Sequence, residues 1–251
     1  MSDADEHPAP LFTYTALTAM VAVFVVEFTH SDLSILECYP WRLGQGQWWR
    51  LITCTFLHGG VMHIAFNMML FFYFGRVVEN WLGPWIALAL YVFLAAGSSA
   101  GQVLSSGGLV VGASGVVYGL FGFLWAARRR WYEAQHVITP NVIEGMLGWL
   151  GLCVVLSWLN VPIANTAHAV GLALGWLLGR AFERGPWRWA TGAASVVLGV
   201  ALVVCTDAPV WNALRGSSGA FGVLHYRPDP LSPTDRDYLE HLPRPEPGFF
   251  M

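Results

Sequence analysis

Seven long runs of apolar residues, separated by short polar segments, constrain this chain more than any other feature of its sequence. A run of roughly 20 apolar residues can cross a bilayer as a helix, because all backbone hydrogen bonds of a helix are internal. Hydrophobic residues make up 55% of the chain and charged residues only 12%, against about 25% charged residues in a soluble domain. The sequence therefore predicts an all-α polytopic membrane protein with spans at 11–28, 58–76, 84–100, 114–127, 142–159, 166–182 and 188–205.

These spans divide the chain into four predicted segments. Residues 1–10 form a short cytoplasmic N-terminus, 11–182 a six-helix core, 183–205 a linker and a seventh transmembrane helix, and 206–251 a polar tail. The tail is rich in Pro, Asp and Arg, a composition that disfavours a packed core, so we expect it to be loosely ordered. Because the last span is short, an interfacial helix is the alternative to a seventh span.

Arginine placement predicts the orientation of the chain in the membrane. With the N-terminus inside, seven arginines fall in cytoplasmic loops and three in outer segments. Cytoplasmic loops carry an excess of basic residues, so the N-terminus is predicted to be inside. The cytoplasmic set is Arg76, Arg128, Arg129, Arg130, Arg180, Arg184 and Arg188, and the outer set is Arg42, Arg50 and Arg215.

Three of the spans contain polar side chains, which are costly in hydrocarbon and usually face a cavity or a helix interface. They are His58, His63 and Asn67 in the second span, Ser114 (within Gly112-Ala113-Ser114-Gly115) and Tyr118 in the fourth, and His168 in the sixth.

The depths of these polar groups agree. Ser114 and His168 lie 14 and 12 residues before Arg128 and Arg180, which places them roughly 21 and 18 Å above the inner boundary at 1.5 Å per residue. Asn67 lies at a similar height, roughly 20 Å. All three spans run from outside to inside, so one layer of the membrane is predicted to contain a serine, a histidine and an amide.

Nucleophilic acyl transfer explains this combination of side chains. A serine hydroxyl is a weak nucleophile until a base within hydrogen-bond reach takes its proton, and His168 is the candidate base for Ser114. Taken singly, the Gly-Ala-Ser-Gly stretch fits a helix-packing surface and a lone histidine fits a structural group. No carboxylate lies at this depth, so the set predicts a Ser–His dyad.

Other polar residues are predicted to support this dyad. The developing oxyanion needs preorganised donors, and the candidates are the backbone N–H of Ser114 with the side chains of His63 and Asn67. Tyr118, one turn below Ser114, is expected to orient the imidazole by stacking or by a hydrogen bond. Gly112 and Gly115 flank the nucleophile as supporting residues.

Glycines in the fourth and sixth spans recur at helical spacing and predict close packing of the two helices. Such packing would bring His168 within reach of Ser114. The two stripes are Gly115, Gly119 and Gly122 in one span and Gly171, Gly175 and Gly179 in the other.

In residues 45–180 the sequence resembles the rhomboid family of intramembrane proteases. The resemblance rests on the ordered segments HIAFN, GASGVVYGLFG and AHAVGLALG, supported by Trp49-Arg50 and by GRVVENWLG, which contains Glu79. It implies a six-helix core with a water-filled cavity open to the outside. It also implies a serine endopeptidase that cleaves membrane proteins in or beside their transmembrane segments.

Carried over by position, the resemblance makes Ser114 the nucleophile and His168 the base. Arg50 and Glu79 become structural residues of the outer loop and of the inner end of the second span, and His58 a structural or water-organising group. We expect no metal or other cofactor and no nucleic-acid partner. A bacterial cytoplasmic membrane is the expected location, and the oligomeric state stays open.

Further interpretations concern how a substrate reaches the active site, the role of the cysteines and functions other than proteolysis. Phe66, Trp158 and Leu159 are candidates for a lateral gate, with ordinary packing or lipid contact as the alternative. The four cysteines show no metal or disulfide spacing and are expected to be small buried hydrophobes. A catalytically silent rhomboid-like protein that binds membrane clients and a transporter with an intramembrane polar relay are the alternative functions.

Overall fold

The computed structural model describes residues 9–29, 31–106, 109–183, 185 and 187–206. Within these residues the chain is helical, and the only β-type pairing is an isolated antiparallel bridge between Cys38 and Val110. A 3₁₀ turn spans Cys54–Phe56. The helices are α1 (Leu11–Phe28), α2 (Pro40–Leu43), α3 (Arg50–Thr53), α4 (Val61–Leu82), α5 (Pro84–Ser106), α6 (Ser114–Ala127), α7 (Tyr132–Val137), α8 (Pro140–Trp158), α9 (Asn165–Arg180) and α10 (Arg188–Cys205).

Each of the seven predicted spans coincides with one of these helices. In the described part of the chain, α1, α4, α5, α8 and α10 are long and apolar enough to cross a membrane. The other two, α6 and α9, have 14 and 16 residues. The prediction of an all-helical polytopic membrane protein with a seventh C-terminal helix is confirmed.

Helix α6 lies at the centre of the bundle. Almost all of its side chains are buried, and it packs against α9, α4 and α5. At 1.5 Å per residue its 14 residues measure roughly 21 Å, less than the roughly 30 Å of a hydrocarbon core. A helix of this length can begin below the outer membrane surface, which is where Ser114 was predicted to lie.

Helices α6 and α9 make the most extensive helix–helix contact in the described structure. Their glycines meet backbone to backbone: a Cβ atom on Gly171 or Gly175 would overlap the carbonyl oxygen of Gly115 or Gly119, respectively. Removing side chains from this face lets the two backbones approach far more closely than ordinary helices do.

Helix α4 extends from Val61 to Leu82, six residues beyond the predicted end of the second span. The extension carries Glu79, which is buried and caps the first turn of α1. Its carboxylate accepts hydrogen bonds from the N–H groups of Phe12 and Thr13 and from the Thr13 hydroxyl, each at 2.7 Å. The negative charge thus satisfies free amides at the positive end of α1.

Helix α5 also exceeds its prediction, reaching Ser106 rather than residue 100. The added turns carry Gln102, whose side chain accepts a hydrogen bond from the first turn of α9.

Helix α10 packs against α5 and α9. Ser195 of α10 donates a hydrogen bond to the Leu174 carbonyl at 2.8 Å, so the seventh helix is anchored to the core.

Arg50 holds together the segment between α1 and α4. Its guanidinium donates to the carbonyls of Ser34 and Glu37 at 2.5 and 2.7 Å and to the Gln47 side chain at 2.6 Å.

The predicted ends of the chain, residues 1–10 and 206–251, lie almost wholly outside the described residues. The division into terminal segments therefore stays a prediction.

Replacing Gly175 by alanine should destabilise the protein, because the new methyl group would force α9 away from the Gly119 carbonyl. Overpacking of this kind typically costs about 1–3 kcal/mol. Thermal unfolding in detergent, followed by tryptophan fluorescence, measures the effect. Gly151→Ala on α8, where a Cβ meets nothing within 4 Å, is the matched control. Equal melting temperatures for the two variants would contradict the glycine contact.

Candidate active site

Ser114 is the first residue of α6, at the end of an extended segment that begins near Val110. Gly112 has a φ of +99°, a backbone conformation that favours glycine, and its N–H donates to the Cys54 carbonyl at 3.1 Å. The first helical hydrogen bond of α6 runs from Val117 N–H to the Ala113 carbonyl. The amide of Ser114 is therefore not used by the helix and lies at its positive end.

His168 lies in the first turn of α9 and is buried. Its Nε2 atom lies 2.8 Å from the Ser114 hydroxyl oxygen, so the structure brings the two residues within hydrogen-bond distance. The glycine contact between Gly171 and Gly115, three residues past His168 and one past Ser114, sets this separation. The other ring nitrogen, Nδ1, is buried without a hydrogen-bond partner among the described residues.

Tyr118 lies one turn below Ser114 and packs against His168. The two ring centroids are 4.8 Å apart with an interplanar angle of 32°. The Tyr118 hydroxyl donates to the Met146 carbonyl of α8 at 3.0 Å rather than to the imidazole. Of the two predicted modes of contact, the structure contains ring packing.

His63 and Asn67 lie one turn apart near the N-terminal end of α4, on the side that faces the Ser114 segment. A Cβ atom on Gly112 would stand 2.6 and 2.7 Å from two atoms of the His63 ring, so glycine at 112 makes room for that imidazole. Asn67 is buried, and its side-chain amide donates to the His63 carbonyl at 2.9 Å. The His58 ring packs edge-on against His63 at 5.2 Å between centroids.

Glu27, near the C-terminal end of α1, is a residue of this region that the sequence analysis missed. Its carboxylate accepts hydrogen bonds from the N–H groups of His58 and Gly59, both at 3.0 Å. It thereby fixes the turn that leads into α4 just ahead of His63. An acidic residue in the last turn of an apolar run was the available signal.

Gln102 was also missed. Its side-chain oxygen accepts a hydrogen bond from the Ala167 N–H at 3.0 Å, next to His168. One free amide in the first turn of α9 is thus satisfied by α5. The available signal was a glutamine just past the predicted end of the third span.

Comparisons with protein families and with curated proteins both relate this chain to rhomboid proteins. The family model of the rhomboid domain matches residues 45–185, more than half of the chain. Rhomboid protease GlpG of Yersinia pestis (strain Pestoides F) is 31% identical over 169 residues, which cover 66% of this chain and 60% of that protein. Rhomboid protease GlpG of Klebsiella pneumoniae is 32% identical over 175 residues, covering 67% and 62%.

The chain thus spans about three fifths of the length of the curated relatives it matches. The family match contains most of the elements described above, from α3 with Arg50 to the end of α9. This chain is an integral membrane protein that belongs to the rhomboid family.

Proposed function

We propose that the protein is an intramembrane serine endopeptidase in which Ser114 and His168 form a catalytic dyad. The observation that carries this proposal is the 2.8 Å separation between the Ser114 hydroxyl and His168 Nε2. A serine and an imidazole at this distance can act as a nucleophile and its general base. The similarity to proteins named rhomboid protease supports the same reaction class.

In the proposed reaction, Ser114 Oγ attacks the substrate carbonyl while His168 Nε2 accepts the hydroxyl proton. His168 then returns this proton to the leaving amine, and water repeats the sequence on the acyl-enzyme. No carboxylate contacts His168 Nδ1 among the described residues, so the orientation of the ring depends on packing. The Tyr118 ring supplies that packing, with its hydroxyl fixed on α8.

The tetrahedral intermediate would be stabilised by the Ser114 amide together with His63 and Asn67. The Ser114 N–H is free of helical bonding, and the His63 ring lies against Gly112, two residues ahead of the nucleophile. The Asn67 amide donates to its own helix, so it must rotate toward the substrate to contribute. Loss of one such donor typically slows the reaction on the order of 10²–10³-fold.

The membrane setting follows from the arginine distribution. We infer that the N-terminus faces the cytoplasm and that the active site opens to the outer side of a bacterial cytoplasmic membrane. Ser114 and His168 both lie at the N-terminal ends of helices that run inward from that side. The substrates would be membrane proteins cleaved in or next to their transmembrane segments.

Substrate access is proposed to occur between α4 and α8. Phe66 of α4 packs against Trp149 of α8 with ring centroids 5.7 Å apart, and both rings are nearly half exposed. Trp158, which the sequence analysis paired with Phe66, is 80% exposed at the end of α8. The structure therefore indicates Trp149 as the partner of Phe66.

Ser114→Ala should abolish proteolysis. Purified wild type and variant are incubated in liposomes with a single-span protein that carries small and helix-breaking residues near the outer end of its span. A fluorophosphonate probe reports the reactive serine in parallel. We expect cleavage and labelling by the wild type alone, because Ser114 has a base at hydrogen-bond distance and the variant has no hydroxyl there.

Ser31→Ala, in the exposed outer segment, is the matched control and should behave as wild type. Cleavage by Ser114→Ala would refute the nucleophile. A folded wild type that neither cleaves nor reacts with the probe would favour the catalytically silent client-binding protein.

Tyr118→Phe should retain much of the activity, because the ring that packs on His168 remains and only the hydrogen bond to Met146 is lost. Tyr118→Ala should lose most of it, because the imidazole is no longer held against Ser114. Initial cleavage rates at saturating substrate give the comparison. Equal rates in wild type and both variants would show that ring packing does not orient the base.

Phe66→Ala and Trp149→Ala should each speed cleavage of a bilayer-embedded substrate more than cleavage of a soluble peptide, because the contact between α4 and α8 is weakened. Trp158→Ala removes a comparable exposed ring outside this contact and serves as the control. Equal effects on the embedded substrate and the peptide would count against access between these helices.

A further inference from the structure

Two of the four cysteines lie in the same small buried cluster, which their sequence spacing did not suggest. Cys38 and Cys54 are both fully buried and belong to one apolar cluster with Leu51, Ala100 and Val110. The neighbouring Cys54 group and burial both raise the pKa of the Cys38 thiol, which is consistent with the two thiols lying close together in this cluster. Both are free thiols in the structure, as are Cys153 of α8 and Cys205 of α10.

The backbones of this pair enclose the segment that leads to the nucleophile. Cys38 forms the isolated antiparallel bridge with Val110, and the Cys54 carbonyl accepts the Gly112 N–H at 3.1 Å. The two cysteines therefore flank residues 110–112 immediately ahead of Ser114. A covalent link between them would tie the outer segment before α2 to the 3₁₀ turn that holds Gly112.

We propose that Cys38 and Cys54 form a structural disulfide in the membrane-inserted protein. The proposal rests on the orientation given under the proposed function, which puts both residues on the outer, oxidising side of the membrane. It does not depend on the proteolytic reaction. Both thiols lie in one small buried cluster, and both backbones contact residues 110–112, so the two sulfur atoms are placed to form a bond of about 2.05 Å.

The bond forms by thiol–disulfide exchange with an oxidised protein or small-molecule disulfide. One thiolate attacks that disulfide to give a mixed disulfide, and the second thiolate displaces the carrier. The S–S bond of the oxidant is broken, one S–S bond is formed, and two protons pass to the two released carrier thiols. The cysteine pair is oxidised by two electrons, and the carrier is reduced by two.

Burial indicates when this exchange takes place. The neighbouring Cys54 group and burial raise the pKa of the Cys38 thiol well above its ordinary value, which suppresses the thiolate in the folded protein. Neither sulfur is accessible to a carrier once the cluster has closed. Exchange therefore precedes closure of the outer segment during folding.

Counting reactive thiols tests the proposal. Membranes from a bacterial host are dissolved in SDS without reductant and treated with a polyethylene-glycol maleimide, so that each free thiol adds one visible mass step. With a Cys38–Cys54 disulfide the wild type gains two steps from its four cysteines, and prior reduction restores four.

The Cys38→Ser variant sharpens the test, because it should gain three steps. It would then label more heavily than the wild type despite having one cysteine fewer. A double variant, Cys153→Ser with Cys205→Ser, should gain none before reduction and two after it. Four steps in the unreduced wild type, or two in the unreduced double variant, would overturn the proposal.

Ser114→Ala is the control for the separate question of catalysis. It leaves all four cysteines in place and should give the same two steps as the wild type. A protein that cleaves substrate but shows four free thiols would refute the disulfide alone. One that shows two free thiols but cleaves nothing would refute the proposed function alone.

Discussion

The backbone contact between α6 and α9 is the constraint on which the rest of the site depends. A Cβ atom on Gly171 or Gly175 would overlap a carbonyl oxygen of α6, so only glycine permits this separation. In a bilayer, apolar side chains gain little from leaving lipid for protein, and close van der Waals packing must hold helices together. The same contact that stabilises the bundle puts a histidine on one helix 2.8 Å from a serine on the other.

A second constraint is that polar groups inside the membrane must find partners within the protein. Three side chains meet it by binding backbone amides at helix beginnings: Glu79 at α1, Glu27 ahead of α4, and Gln102 at α9. Each bond joins segments that are distant in sequence, so each fixes the position of one segment relative to the other as well as satisfying donors. Glu27 binds the turn ahead of His63, and Gln102 binds the amide of the residue before His168.

Much of this architecture could be predicted, because a membrane protein needs long apolar helices and small residues at close helix contacts, and both are visible in the sequence. Apolar runs indicated the seven helices, glycine spacing indicated the α6–α9 contact, and equal depth drew attention to Ser114, His168 and Asn67. Long-range pairings could not be obtained in this way. These pairings depend on how distant segments pack on one another, which no local periodicity encodes. Examples are the contact of Phe66 with Trp149, the amides bound by Glu27 and Gln102, and the shared cluster of Cys38 and Cys54.

The central claim is that this helix contact builds a serine nucleophile with its base and oxyanion donors at the beginnings of α6, α9 and α4. The most direct test is an experimental structure of the protein after reaction with a small fluorophosphonate. We predict phosphorus on Ser114 Oγ, a phosphoryl oxygen within hydrogen-bond distance of the Ser114 amide and the His63 ring, and His168 still packed on Tyr118. Phosphorus on another residue, or a phosphoryl oxygen directed away from that amide and His63, would contradict the claim.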